Sequence, residues 1–161
     1  MATWGDFSRS EPEFAKLVQV RFDAHKHKML ATLRKDGSPR LSGIEATFAD
    51  GQLWLGMMPD SLKALDLQRD PRLALHSAPL DSEMADGDAK ISGRAIEHTD
   101  EATMTAFAGA VKDASGQDMP PGLFHLFSID IRQVVLTRVA ADHLRIDTWR
   151  EGRGLTHVLR A

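Results

Sequence analysis

The sequence contains no cysteine. Disulfides, thiolate zinc sites, iron–sulfur clusters and a cysteine nucleophile are thereby excluded. Positive charge is not in excess either: the formal net charge is -3, which gives no electrostatic reason to expect nucleic acid. No apolar run approaches the roughly 20 residues of a membrane span. The start, Met1-Ala2-Thr3-Trp4-Gly5-Asp6, lacks the basic and apolar regions of a signal peptide. A cytoplasmic protein without membrane contact is the expectation. Nucleotide signatures are missing as well, with no Gly-x-Gly-x-x-Gly after a strand and no P-loop. No Gly-x-Ser-x-Gly elbow marks a hydrolase. The seven histidines include no His-x-x-x-His or His-Glu-x-x-His pair, so no metal site is expected.

What is present is ordinary globular material: 161 residues, 42% hydrophobic and 27% charged. That length suits one domain, residues 1–161, without internal repeat or low-complexity segment. Ser10-Glu11-Pro12-Glu13 reads as a helix start, and Phe14, Leu17, Val18 and Phe22 form an apolar stripe behind it. An N-terminal helix over about 10–26 is expected. The period then changes. Met29 to Arg34, Arg40 to Ala49 and Gln52 to Met58 read as strands, joined by turns with Asp36-Gly37 and Asp50-Gly51 at their centres. A short helix follows over Ser61 to Arg69, ended by Asp70-Pro71. Arg72 to Ala78 and Ala89 to Glu97 are further strands, flanking an acidic loop over 79–86. A helix over 99–112, a Gly/Pro connector over 114–122 and two last strands, 123–139 and 143–149, complete the chain. The fold class is mostly β with flanking helices: a six- to seven-stranded antiparallel split β-barrel, with three helices.

The segment Gly56-Met57-Met58-Pro59-Asp60-Ser61-Leu62-Lys63 carries the most chemistry. A strand ends, the chain turns, and a helix opens with a hydroxyl and an ammonium in its first turn. Free N–H groups at a helix start attract anions, and a phosphate is the natural ligand. Ser61 reads equally as a helix cap and Lys63 as solvated surface.

The run from His25 to Asp100 resembles the pyridoxamine 5'-phosphate oxidase-like family of flavin-binding split barrels. The resemblance lies in Leu30-Ala31-Thr32-Leu33, Asp36-Gly37-Ser38-Pro39-Arg40 and Asp50-Gly51-Gln52-Leu53-Trp54-Leu55. It continues through Ser61-Leu62-Lys63-Ala64, Arg69-Asp70-Pro71-Arg72-Leu73-Ala74-Leu75 and Ile91-Ser92-Gly93-Arg94-Ala95. The resemblance implies FMN, or alternatively the deazaflavin F420, held at the interface of a homodimer. It also implies an oxidoreductase working on a small molecule by hydride transfer through the flavin. Ser61, Leu62 and Lys63 match the phosphate-binding segment. Ser42, Gly43, Ile44 and Glu45, on to Thr47, match the strand beside the flavin ring, and Gly56-Met57 the end of the next strand. Where the family enzyme has an arginine this chain has Ser42, and Arg40 is expected to supply the charge from the same strand face. Lys90 (or Arg94) is a further cationic candidate, whereas Asp88 replaces a frequent glutamine. Near the C-terminus, Trp149 and Arg160 resemble a tryptophan and arginine that reach the partner's flavin. Thr156 and Val158 stand where the oxidase grips pyridoxal phosphate with arginine and histidine, so that particular substrate is not expected. His76 is expected to fill the barrel. A non-catalytic flavin- or haem-binding protein of the same fold is the alternative, haem needing only one axial histidine.

Overall fold

The computed structural model describes residues 1–78, 86–116, 118–120 and 122–161. The chain opens with two helices, α1 (Trp4–Ser10) and α2 (Pro12–Asp23). Thr3 and Asp6 form a reciprocal capping box at the start of α1. The break at Glu11 follows from Pro12, which disfavours helical geometry in the residue before it; Glu11 sits at φ -139°, ψ 67°. The helix expected over 10–26 is thus α2, and α1 precedes it.

Nine strands and two more helices follow: β1 (His27–Leu33), β2 (Pro39–Glu45), β3 (Thr47–Ala49), β4 (Gln52–Met57), α3 (Leu62–Arg69), β5 (Arg72–His76), β6 (Asp88–His98), α4 (Glu101–Ser115), β7 (His125–Ala140), β8 (His143–Arg150) and β9 (Gly154–Arg160). The strand count exceeds the expected six or seven for two reasons. The strand read over 40–49 is interrupted at Ala46 and becomes β2 and β3. The C-terminal β9 carries mostly exposed side chains, so no buried apolar alternation marks it. The loop expected over 79–86 falls almost wholly outside the described residues.

The sheet is antiparallel throughout, in the order β2-β1-β5-β6-β7-β4-β3, with β8 and β9 added as a hairpin on β7. Its two ends, β2 and β3, are consecutive in the chain and separated only by Ala46. A seven-strand path whose edges are one residue apart must curl upon itself. Yet no ladder joins β2 to β3 among the described residues, so the barrel stays split along that line.

The barrel interior and one outer face are both packed. Leu30, Leu53, Leu55, Leu75, Ile91, Phe127 and Ile129 fill the inside, and Phe7, Phe14, Val18 and Phe22 of α1 and α2 join the same cluster. A second cluster, Trp54, Met104, Phe107, Phe124 and Leu126, seats α4 against the outside of β4 and β7. The fold class read from the sequence is the one observed, an open antiparallel barrel with helices on its flanks. Among the described residues no helix is long and apolar enough to cross a membrane.

Candidate functional site

The split in the barrel opens onto a cleft of about 500 Å³. Gly43, Ile44, Glu45 and Thr47 line it from β2 and β3, Gly56 and Met57 from the end of β4, and Lys63 from the first turn of α3. The opposite wall is mostly apolar: Phe107 and Val111 of α4, then Met119, Pro120, Leu123 and Phe124 after it, with Asp118 the one charged residue among them. Gly56 lies where these two sides meet. A Cβ there would stand 3.3 Å from the Phe107 ring and 3.4 Å from the Met119 methyl, so the ring would have to give by a few tenths of an ångström.

The start of α3 is built by the turn before it. Asp60 takes a left-handed φ of 57°, and Ser61 is extended at the N-cap position. The Ser61 side chain makes no capping hydrogen bond, however. Its Oγ is buried and has no hydrogen-bond partner among the described residues. An unpaired buried hydroxyl costs about 1–3 kcal/mol, and a phosphate oxygen arriving at the helix start is a chemically suitable acceptor. Two residues on, Lys63 Nζ donates to the carbonyl oxygen of Gly43 at 2.9 Å, tying α3 to the open edge of β2. At the rim, Lys26 Nζ lies 3.2 Å and His27 Nε2 3.8 Å from Glu45 Oε1.

The fold therefore gathers Gly43, Ile44, Glu45, Gly56, Met57 and Lys63 around one cleft, while Ser61, two residues before Lys63 at the helix start, is buried behind its lining. It does not gather the rest. Ser42 shares the inward face of β2 but does not line the cleft, and Leu62 points to another side of α3. Arg40 Nε donates to Asp66 Oδ2 at 2.6 Å, where Thr32 Oγ1 and Arg69 also bond. Burial alone would raise the Asp66 pKa, but the hydrogen bonds from Arg40, Arg69 and Thr32 outweigh it and hold the carboxyl below its ordinary value of 3.8. The Arg40 Nε is thus drawn to α3 and away from the cleft. Lys90 Nζ lies 2.7 Å from Asp88 Oδ1 on the outer face of β6. His76, expected inside the barrel, shares that outer face: its neighbour Leu75 is the buried residue, and His76 pairs in register with Lys90. Trp149 is buried in the core with its ring 5.0 Å from that of Phe7, and Arg160 is exposed on β9.

Sequence reasoning missed the apolar wall. Its signal was the i, i+4 pair Phe107 and Val111, which reads as core packing and does pack, on one side. The same side chains also face the cleft.

Known proteins share this arrangement of strands. PhzG from Burkholderia lata, solved in complex with tetrahydrophenazine-1-carboxylic acid, superposes with a TM-score of 0.67 at 17% identity, over 96% of this chain and 94% of that one. The conserved hypothetical protein Rv2991 from Mycobacterium tuberculosis gives 0.62 at 22% identity, over 78% and 82%. An F420 reductase gives 0.52 at 16% identity, over 67% and 87%. No curated protein matches the sequence. The sequence profile of pyridoxamine 5'-phosphate oxidase matches residues 12–138, from the start of α2 through most of β7, and the chain belongs to that family.

Proposed function

We propose that this protein is an oxidoreductase that holds FMN in the split of its barrel, as a homodimer. One observation carries the reading: a cleft lined by the two glycines Gly43 and Gly56 reaches the first turn of α3, where the Lys63 ammonium lines it two residues after the buried, unpaired Ser61 hydroxyl at the helix start. Those residues fit a phosphorylated planar cofactor. Ser61 and the free N–H groups of α3 would take the phosphate, and Lys63 would neutralise it from beside the Gly43 carbonyl. Gly43, with nothing within 4 Å of where a Cβ would stand, leaves room for a ring to lie against the backbone of β2. Bound, FMN supplies the hydride transfer, and no protein nucleophile is required.

The apolar wall of Phe107, Leu123 and Phe124 would exclude water from the reacting face and favours a substrate with an apolar ring system. PhzG, which shares the fold, is seen with a tricyclic acid of that general character. Thr156 and Val158, on the exposed β9, bring no cation for a phosphorylated substrate. Outward-facing Met29 and Leu41 on β1 and β2, 42% and 69% exposed, support a second copy on that side.

The test is titration of the purified protein with FMN and, separately, F420, followed by absorbance and by reduction with NAD(P)H. FMN is expected to bind, and Lys63→Ala to weaken it by about 1–3 kcal/mol through loss of a charge-assisted contact. Tight F420 binding with negligible FMN binding would move the assignment to an F420-dependent reductase. Bound flavin that no donor reduces would point to a carrier or sensor. An affinity unmoved by Lys63→Ala would show the phosphate to lie elsewhere.

A further inference from the structure

On the other side of α3 lies a second hollow, of about 460 Å³, that shares no lining residue with the cofactor cleft. Its floor is one face of the helix, Leu62, Leu65, Asp66 and Arg69 at i, i+3, i+4 and i+7, and its other wall is the β1–β2 hairpin with Arg34, Lys35, Asp36 and Arg40. Four cations therefore face two carboxylates, in a chain whose overall charge is negative.

The carboxylates are already engaged. Asp66 receives Thr32, Arg40 and Arg69, and Asp36 Oδ1 accepts from the Ser38 amide and hydroxyl at 2.9 and 2.7 Å. The cations have donors to spare among the described residues. Arg40, with its side chain only 20% exposed, hydrogen-bonds through Nε alone. Arg69 uses one terminal nitrogen, toward Leu33 O and Asp66, and Arg34 one, toward Pro39 O and Ser38 Oγ. Lys35 is exposed and makes no hydrogen bond among the described residues. Beside these donors, Leu62 and Leu65 leave apolar surface open, 59% and 41% exposed.

We infer that this hollow binds a small organic phosphate monoester, its dianionic head on the free guanidinium nitrogens of Arg34, Arg40 and Arg69 and its apolar body on Leu62 and Leu65. Two surplus positive charges match a dianion better than a carboxylate. Planar guanidinium forks suit the oxygens of a phosphate, and the Asp66 pair fixes two of the three forks in advance. The inference is independent of what occupies the cleft.

Phenyl phosphate, inorganic phosphate and phenol are the probes, titrated calorimetrically into the full chain with and without added FMN. Phenyl phosphate is expected to bind in both conditions, at least about tenfold tighter than either fragment, and to weaken as salt is raised. The exposed pair Arg34→Ala/Lys35→Ala leaves the Asp66 cluster whole and should weaken phenyl phosphate about tenfold without changing FMN affinity. Lys63→Ala should do the reverse. Amide NMR shifts on phenyl phosphate binding should centre on Arg34, Leu65 and Arg69. Shifts centred on Gly43 and Gly56, loss of phenyl phosphate binding in Lys63→Ala, or binding no tighter than that of phenol would overturn the assignment.

Discussion

Asp66 illustrates what single residues decide here. Buried on α3 and holding Thr32, Arg40 and Arg69, it fastens the helix to the first two strands. Asp66→Ala would strand the largely buried Arg40 guanidinium without its counter-charge, and is expected to cost about 3–5 kcal/mol in urea unfolding. The pH dependence has a definite sign. Because the folded carboxyl titrates below its ordinary 3.8, the contribution is full above that value and is lost as pH falls through the depressed folded pKa. The gap between wild type and Asp66→Asn should therefore close on the acid side and stay constant at neutral pH. Arg40 was legible as an inward-facing cation, since strand alternation puts it with Ser42 and Ile44. Its destination was not legible. Two residues along a strand carry a side chain about 7 Å, here past the cleft and onto α3. Likewise the Ser61 hydroxyl was visible, but only the folded chain shows that it caps nothing.

Among the elements, those with local punctuation were the ones that could be read. Asp50 and Gly51 both take left-handed backbone, at φ 50° and 70°, as a two-residue hairpin turn demands. The bounds of β4, α3 and β5 followed from Pro59-Asp60 and Asp70-Pro71. The C-terminal β9 was hidden because pairing with β8 alone buries little, leaving no periodicity to detect. Nor does any residue type announce that a strand will be interrupted at Ala46. Gly93 belongs to the legible motif Ile91-Ser92-Gly93-Arg94-Ala95, and its reason is now physical. The β6–β7 register shifts between Ser92 and Gly93, and a Cβ on Gly93 would lie 2.2 Å from the carbonyl oxygen of Asp130. Since the obstacle is backbone, Gly93→Ala is expected to lower stability by about 2–3 kcal/mol or more, measured as a shift in the denaturation midpoint. Trp149→Ala should behave as a core truncation, losing about 3–5 kcal/mol of stability, because its ring packs on Phe7.

For the molecule as a whole, the proposed dimer and the proposed cofactor are linked. Native mass spectrometry is expected to give two chains with two FMN molecules. Leu41→Glu places a charge in the exposed apolar face of β2 and should shift the population to monomer, weakening FMN retention with it. A monomeric variant that keeps FMN at full affinity would separate the two. The general architecture was readable because three strands and their turns come consecutively and in one order. The cleft's far wall was not, because it is assembled from α4 and the segment after it, nearly fifty residues beyond β4.

The gap between β2 and β3 has one more implication. A closed barrel satisfies the backbone of every strand and leaves ligands only its mouth. Here the outward-turned amides and carbonyls of β2 meet no neighbouring strand among the described residues, and Lys63 already answers one of them at Gly43. A flat heterocycle edged with its own donors and acceptors has the hydrogen-bonding character of a short strand. Such a molecule would complete the weave where the polypeptide leaves it open, and its removal should loosen β2 and β3 first, detectable as faster amide hydrogen exchange on either side of Ala46.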